Sequence, residues 1–226
     1  MSAKILAIET ATEACSAALL CDGEVIAREQ VAPRKHNELI LPMCDQLLSD
    51  AACSVKQLDA IAFGRGPGAF TGVRIATSVV QGIAYAQDLP VIPVSTLATL
   101  AQAAINVYRC GQVMPAIDAR MEEIYWAVYV RGQNGVAELV ADERVERPSL
   151  VRVDVSSGCV GVGSGWGTYK EILQERTTIP SEQIFSDALP SARETVQIAE
   201  HKFSNNEVVS ADQAIPVYLR DNVTQK

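Results

Sequence analysis

Histidine is almost missing from this chain of 226 residues: there are two, His36 and His201, and neither has another histidine four residues away. A helical His-x-x-x-His metal site is therefore excluded. The six cysteines, at positions 15, 21, 44, 53, 110 and 159, form no C-x-x-C pair and sit among aliphatic neighbours. That pattern reads as free buried thiols, not as a zinc knuckle or a disulfide framework. Long apolar runs are also lacking. The opening MSAKILAIET offers only Ile5 to Ile8 before Glu9 interrupts it, too short for a signal-peptide core or a membrane span, so a cytoplasmic protein without a membrane anchor is expected. Basic charge is in short supply, with 19 Lys and Arg against 27 Asp and Glu, a net charge of −8 and a pI near 4.8. Such a field opposes a polyanion, so any contact with nucleic acid is expected to run through a partner.

What is present is a core-forming chain, 48% hydrophobic and 20% charged, longer than one typical domain of about 100–200 residues. Lys4 to Glu9, Cys15 to Cys21 and Glu24 to Val31 read as three strands, the last two joined by Asp22-Gly23, a dipeptide suited to a tight hairpin turn. A helix over Asn37 to Asp50 follows, then one capped turn at Ser54 and Gln57 and a strand at Asp59 to Phe63. A glycine-rich turn, a long helix over Thr71 to Gln87, a strand at Val91 to Val94 and a helix from Ser95 to Val107 complete this half. The same order then begins again: Val113 to Asp118, Glu123 to Arg131 and Val136 to Ala141 as strands, the last two joined through Asn134-Gly135. Cys159 to Val162 as a strand leads into a helix over Trp166 to Glu175. A second capping box, Ser191 with Glu194, starts a helix to Phe203, and Ile215 to Arg220 reads as an edge strand. Two hairpin-led α/β halves, residues 1–108 and 109–226, suggest a pair of ribonuclease-H-like lobes of the actin-like ATPase (ASKHA) superfamily, with the C-terminal segment packing back on the first lobe.

The chemistry-bearing segments are sparse. Gly64-Arg65-Gly66-Pro67-Gly68-Ala69-Phe70-Thr71-Gly72 stands between a strand and a helix, but no Gly-Lys-Ser/Thr closes it as a Walker loop would. Glu9-Thr10-Ala11-Thr12 occupies the place where actin-like ATPases carry a phosphate loop, without a lysine or a second acid. Glu9, Thr10, Gly66, Gly68 and Thr71 are accordingly the candidate nucleotide or anion contacts, against the alternative that the glycines only pack a helix on a sheet. Asp118-Ala119-Arg120 with Glu122, Glu123 and Tyr125 is a charged strand end. Gly161-Val162-Gly163-Ser164-Gly165 lacks the glycine two residues before the serine that a nucleophile elbow requires. At about 100° per residue, the apolar residues of the Thr71–Gln87 helix cover an arc of about 200°, roughly twice what packing on one sheet needs. The helix from Asn37 repeats the excess. Leu41, Ile75, Val79, Gly82 and Ala86 are the candidate partner-binding residues, with Gly82 and Ala86 a small pair one turn apart.

ILAIETAT, RKHNELILP, GRGPGAFTGVRIA, IDARMEEIY and PVYLR, in that order, resemble the bacterial TsaB (YeaZ) family over nearly the whole chain. The specific part is GPGAFTGVRI with the terminal PVYLR, the family's usual forms being GPGSFTGLRI and P-x-YLR. Glu9 stands where aspartate is common and Ala69 where serine is. The resemblance implies a non-catalytic accessory subunit that pairs with itself when alone and with a TsaD-like catalytic subunit through helices of the first lobe. It implies also that a TsaE-like ATPase acts with them to place threonylcarbamoyl on the adenosine beside the anticodon of tRNAs reading codons that begin with A. tRNA would be met through the complex, and ATP or ADP at the partner interface, with no cofactor of the chain's own. The alternatives are an ATP-dependent small-molecule kinase, which would need a phosphate clamp, and a homodimeric structural protein.

Overall fold

The computed structural model describes residues 3–220. Its elements are β1 (Ile5–Glu9), β2 (Ala14–Cys21), β3 (Glu24–Val31), α1 (His36–Asp50), β4 (Ala60–Gly64), α2 (Phe70–Gln87), β5 (Val91–Val94), α3 (Thr96–Tyr108), β6 (Gln112–Arg120), β7 (Glu123–Trp126), β8 (Tyr129–Arg131), β9 (Ala137–Leu139), β10 (Arg144–Glu146), β11 (Val160–Val162), α4 (Ser164–Thr177), β12 (Ile184–Phe185) and α5 (Ala192–Ser204). The capped turn at Ser54 forms as a single 3-10 turn, Val55–Gln57, with both arms of its capping box made.

The first sheet has the order β3-β2-β1-β4-β5, antiparallel through β1 and parallel beyond it. The second repeats it as β10-β7-β6-β11-β12, with β8 also paired to β6 and β9 paired to β8. The duplication expected from the strand and turn pattern is thus present in the topology. Asp22-Gly23 makes the two-residue turn its sequence asks for, with φ of 52° and 84°. Asn134-Gly135 instead lies in a longer loop between Arg131 and Ala137, where Gly135 alone of the pair has positive φ.

One expected strand, Glu123 to Arg131, is two. Ala127 falls opposite Pro115 on β6, between the pairs Ala116↔Trp126 and Val113↔Tyr129. Proline has no N–H to give the ladder, so the pairing lapses there and resumes as β8. The expected third strand, Val136 to Ala141, supplies β9 only; β10, further on, is the strand that takes the third place in the sheet. Ile215 to Arg220 is not a strand: it forms no ladder and ends on a side-chain clasp described below.

The chain divides into two compact units, residues 1–99 with 190–216 and residues 100–189 with 217–226. This corrects the expected division at 108/109. α5, in sequence part of the second half, packs on β1, β2, β4 and β5 of the first unit. Its Val196 and Ala199 are fully buried there, and the Ala192 N–H donates to Ser16 Oγ at 2.9 Å. Apolar burial thus outweighs proximity in sequence when the segment chooses its sheet. The core of the first unit gathers Leu6, Ile8, Leu19, Ile40, Leu47, Ile61, Phe63 and Val80. In the second unit the core is built around Trp166, whose indole N–H donates to Met114 O at 2.9 Å, with Met114, Ile124, Trp126 and Leu173.

Candidate functional site

β1 and β4 run parallel and end side by side, so the loop Thr10–Glu13 after β1 and the glycine turn after β4 meet. The meeting is tight. A Cβ on Gly64 would lie inside the Glu9 carboxyl, and a Cβ on Gly72 would overlap Thr10 O. A Cβ on Gly68 would come within 2.8 Å of the Ala11 methyl. The Ala69 N–H donates to Ala11 O at 2.7 Å, and the Thr10 hydroxyl donates to Gly72 O at 2.8 Å. The loop after β1 is thus tied to the start of α2 at two points, the N–H of Ala69, the residue before the helix, and the carbonyl of Gly72 in its first turn.

Glu9 is fully buried. Its Oε1 accepts the Ala11 N–H at 2.8 Å and its Oε2 accepts the Thr96 hydroxyl at 3.2 Å. Burial pushes its pKa up to about 7 from an ordinary 4.5, against the pull of those hydrogen bonds. Thr96, at the start of α3, also gives its N–H to Gly66 O at 3.0 Å. One carboxyl therefore ties together the end of β1, the glycine turn and α3. Of the candidate anion contacts, Glu9, Thr10 and Gly66 are buried and Gly68 is half-buried, while Thr71 alone faces solvent. The structure brings their segments together, with Glu9 bonded to Ala11 and Thr96, Thr10 to Gly72, and Gly66 O to the Thr96 N–H.

Two residues that spacing alone did not single out complete the frame. His36 is buried, its Nε2 lies 2.9 Å from Thr12 O, and it pins the loop after β1 to the start of α1. Thr96 is separated from Glu9 by 87 positions, and no local pattern announces that pairing. The second histidine, His201, has its Nε2 3.1 Å from the side chain of Asn205. Among the described residues no cluster of His, Cys, Asp and Glu could hold a metal ion. Burial pushes the thiols of Cys15, Cys44 and Cys159 up to about 11, 12 and 12 respectively, so these three are poor nucleophiles at neutral pH.

In the second unit the corresponding turn is Gly163-Ser164-Gly165. A Cβ on Gly163 would stand 2.6 Å from Ala116 O. Ser164 Oγ accepts the Asp118 N–H at 3.1 Å, a capping contact and no nucleophile–base pair.

The candidate partner-binding residues divide into two groups. Leu41 is 48% exposed, and Gly82 and Ala86 are exposed on the outer side of α2, beside Tyr85 at 86%. Ile75 and Val79 are half-buried and pack against the first unit's own core. α1 and α2 cover part of each other's apolar arc, which accounts for some of the excess seen in the sequence. What stays open is a band of small and apolar side chains along the two helices.

Two lobes of this sheet order, each led by antiparallel strands and closed by strand–helix turns, define a member of the actin-like ATPase superfamily. The family model described as "TsaD: tRNA N6-adenosine threonylcarbamoyltransferase" matches residues 24–226. The chain is 43% identical, over 99% of its length and 97% of the relative's, to the tRNA threonylcarbamoyladenosine biosynthesis protein TsaB of Escherichia coli. It is 37% identical to the protein of the same name from Haemophilus influenzae, over 98% of this chain and 95% of the other. Among solved structures, YeaZ from Pseudomonas aeruginosa aligns at 44% identity with a TM-score of 0.89, covering 96% of this chain and all of that one. Another, titled an uncharacterized protein with similarity to peptidase YEAZ from Pseudomonas aeruginosa, gives 44% and 0.90 with the same coverage. The chain belongs to the TsaB (YeaZ) family.

Proposed function

We propose that this chain is a cytoplasmic, non-catalytic accessory subunit in the synthesis of N6-threonylcarbamoyladenosine in tRNA, docking a TsaD-like catalytic subunit and acting with a TsaE-like ATPase. The observation that carries this reading is the closed state of the loop pair around Glu9. In an actin-like fold that region is where chemistry on a phosphate would be done, and here Glu9, Thr10, Ala11, Ala69 and Gly72 satisfy one another. A chain that keeps the fold but fills the site is suited to supplying surface. Nucleotide used by the complex would be held with residues of the partner, and tRNA would be met through basic partners, since the chain carries a net charge of −8. The peptidase label borne by one structural relative finds no support in Ser164, whose hydroxyl caps a backbone N–H.

The docking surface in this reading is the open band formed by Leu41, Gly82 and Ala86, with Ile75 and Val79 at its inner edge. The same band would pair two copies of the chain when no catalytic subunit is present. Leu41→Glu and Ala86→Glu place a carboxylate on it at positions the core does not need. Each variant is expected to keep the circular dichroism of the parent and to sediment without forming a complex with the TsaD protein of the same organism. A folded double variant that still forms a stoichiometric complex refutes the docking surface. A parent chain that forms none refutes the function.

A further inference from the structure

The hairpin between β6 and β7 turns through Met121 and Glu122, the two residues between the paired Arg120 and Glu123. Arg120, Met121 and Glu122 have φ of 62°, 55° and 62°. Three consecutive residues with side chains in the left-handed region is a costly way to build a turn. The chain makes the equivalent two-residue turn elsewhere with Asp22 and Gly23, where a Cβ added to the glycine meets nothing within 4 Å and no outside support is needed.

At the β6–β7 tip the support comes from 97 residues further along the chain. Arg220 directs its guanidinium onto the tip: Nε donates to Glu123 Oε2 at 3.0 Å, Nη2 to Ala119 O at 3.2 Å and to Arg120 O at 3.4 Å, and Nη1 lies 3.5 Å from Met121 Sδ. Nη2 also pairs with the Glu123 carboxylate. The pair is largely shielded, with side-chain exposures of 17% for Arg220 and 30% for Glu123. Outside this clasp, Met121 is 72% exposed and the Arg120 side chain is 86% exposed.

We propose that Arg220 is a positioning residue whose guanidinium holds the Arg120–Glu122 turn in its left-handed conformation, making residues 217–220 and the β6–β7 tip one conformational unit. The clasp has the geometry for this. A guanidinium presents several donors in a rigid plane, and here they engage two consecutive main-chain carbonyls of the tip and the carboxylate that follows it. Strained backbone persists only where its surroundings over-determine it, and Arg220 supplies contacts to two consecutive carbonyls of this turn. With Arg220 in place the turn can carry a methionine and a glutamate where folding alone would favour Asn-Gly, and it holds that methionine out to solvent. The tip's residues are thus set by what it presents, and Arg220 is what allows them.

Amide hydrogen exchange, read residue by residue on the full chain, tests this. Arg220→Ala is expected to speed exchange at Arg120, Met121 and Glu122 by about tenfold or more while leaving Asp22 and Gly23 unchanged. Arg220→Lys, which keeps the charge but not the planar fork, is expected to fall between the two. In a background carrying Met121→Asn and Glu122→Gly the turn no longer needs support, and adding Arg220→Ala is expected to change tip exchange less than about twofold. If Arg220→Ala does not fold, Glu123→Gln replaces it, with a smaller rise confined to the same amides. Unchanged exchange at the tip overturns the proposal. So does a rise shared with Asp22 and Gly23, which marks a general loss of stability, or an Asn-Gly background that remains as dependent on Arg220 as the parent.

Discussion

The two units are built on one plan and use it differently. In each, the glycine at the end of the strand parallel to the central one is pressed against the central strand, Gly64 at the end of β4 against Glu9 in the first unit and Gly163 after β11 against Ala116 in the second. The residue it meets decides the rest. An acid at that position is walled in, loses its water and takes its partners from the Ala11 N–H and the Thr96 hydroxyl. An alanine there leaves the acid of the second unit, Asp118, two residues further out, where it pairs with a largely exposed Arg120. Equivalent topology therefore gives one interior that is closed and polar, and one strand end that is open and clasped from outside.

The sharpest way to break the comparison is to add one methyl group on each side. Gly72→Ala puts a Cβ on top of Thr10 O, a backbone atom that cannot swing away, whereas Gly165→Ala brings one to 3.0 Å from Ala116, a gap that a small shift relieves. We expect losses of about 3 kcal/mol or more in the first unit and about 1 kcal/mol in the second, by denaturant unfolding of otherwise identical chains. Equal losses at the two glycines mean that the first unit's loops are not the tighter pair.

Next in size is the pH dependence of the buried acid. Glu9 in the fold holds its proton up to about pH 7, while the unfolded chain releases it near 4.5. Between those values the folded state binds the extra proton, so stability falls as pH rises from about 4.5 to about 7 and levels off above. The full difference is at most about 3 kcal/mol. Glu9→Gln keeps an acceptor for the Ala11 N–H and cannot ionise. It is expected to flatten the profile and to be the more stable protein at pH 8, with no gain at pH 4. A Gln variant that loses stability equally at both pH values excludes an ionisation cost at this site.

These contrasts also show where the sequence was legible. Strand order, the duplication and the helices follow from hydrophobic period and from turn residues such as Asp22-Gly23 and the capping pair Ser54 and Gln57, because those signals act between neighbours. The glycine turn was visible as a motif, but its meaning was not. Gly64 and Gly72 are required by Glu9 and Thr10, more than fifty positions earlier, a close approach that no local pattern announces. The reassignment of α5 to the first unit and the clasp of Arg220 on Glu123 share this cause. Both join segments that no local pattern relates. The break of the second hairpin at Pro115 was legible in principle, since proline's missing donor falls opposite Ala127, but only once the register is known.

The smallest effect is expected where the second unit looks most like an active site. Asp118 accepts both the main-chain N–H of Arg120, at 2.8 Å, and its guanidinium, at 3.1 Å, but the arginine side chain is 86% exposed and water competes for it. Exposed pairs of this kind contribute about 0.5 kcal/mol or less, and salt screens them. Arg120→Ala is accordingly expected to move the unfolding midpoint hardly at all, and raising the salt concentration to about 1 M should erase what difference there is. It should also leave the β6–β7 tip ordered, because Arg220 holds the main-chain carbonyl of Arg120 and not its side chain. A loss above about 1 kcal/mol that persists in high salt would make the Asp118–Arg120 pair a structural counterpart of Glu9. In that event the two units differ in exposure alone, and the contrast between a closed and an open strand end no longer holds.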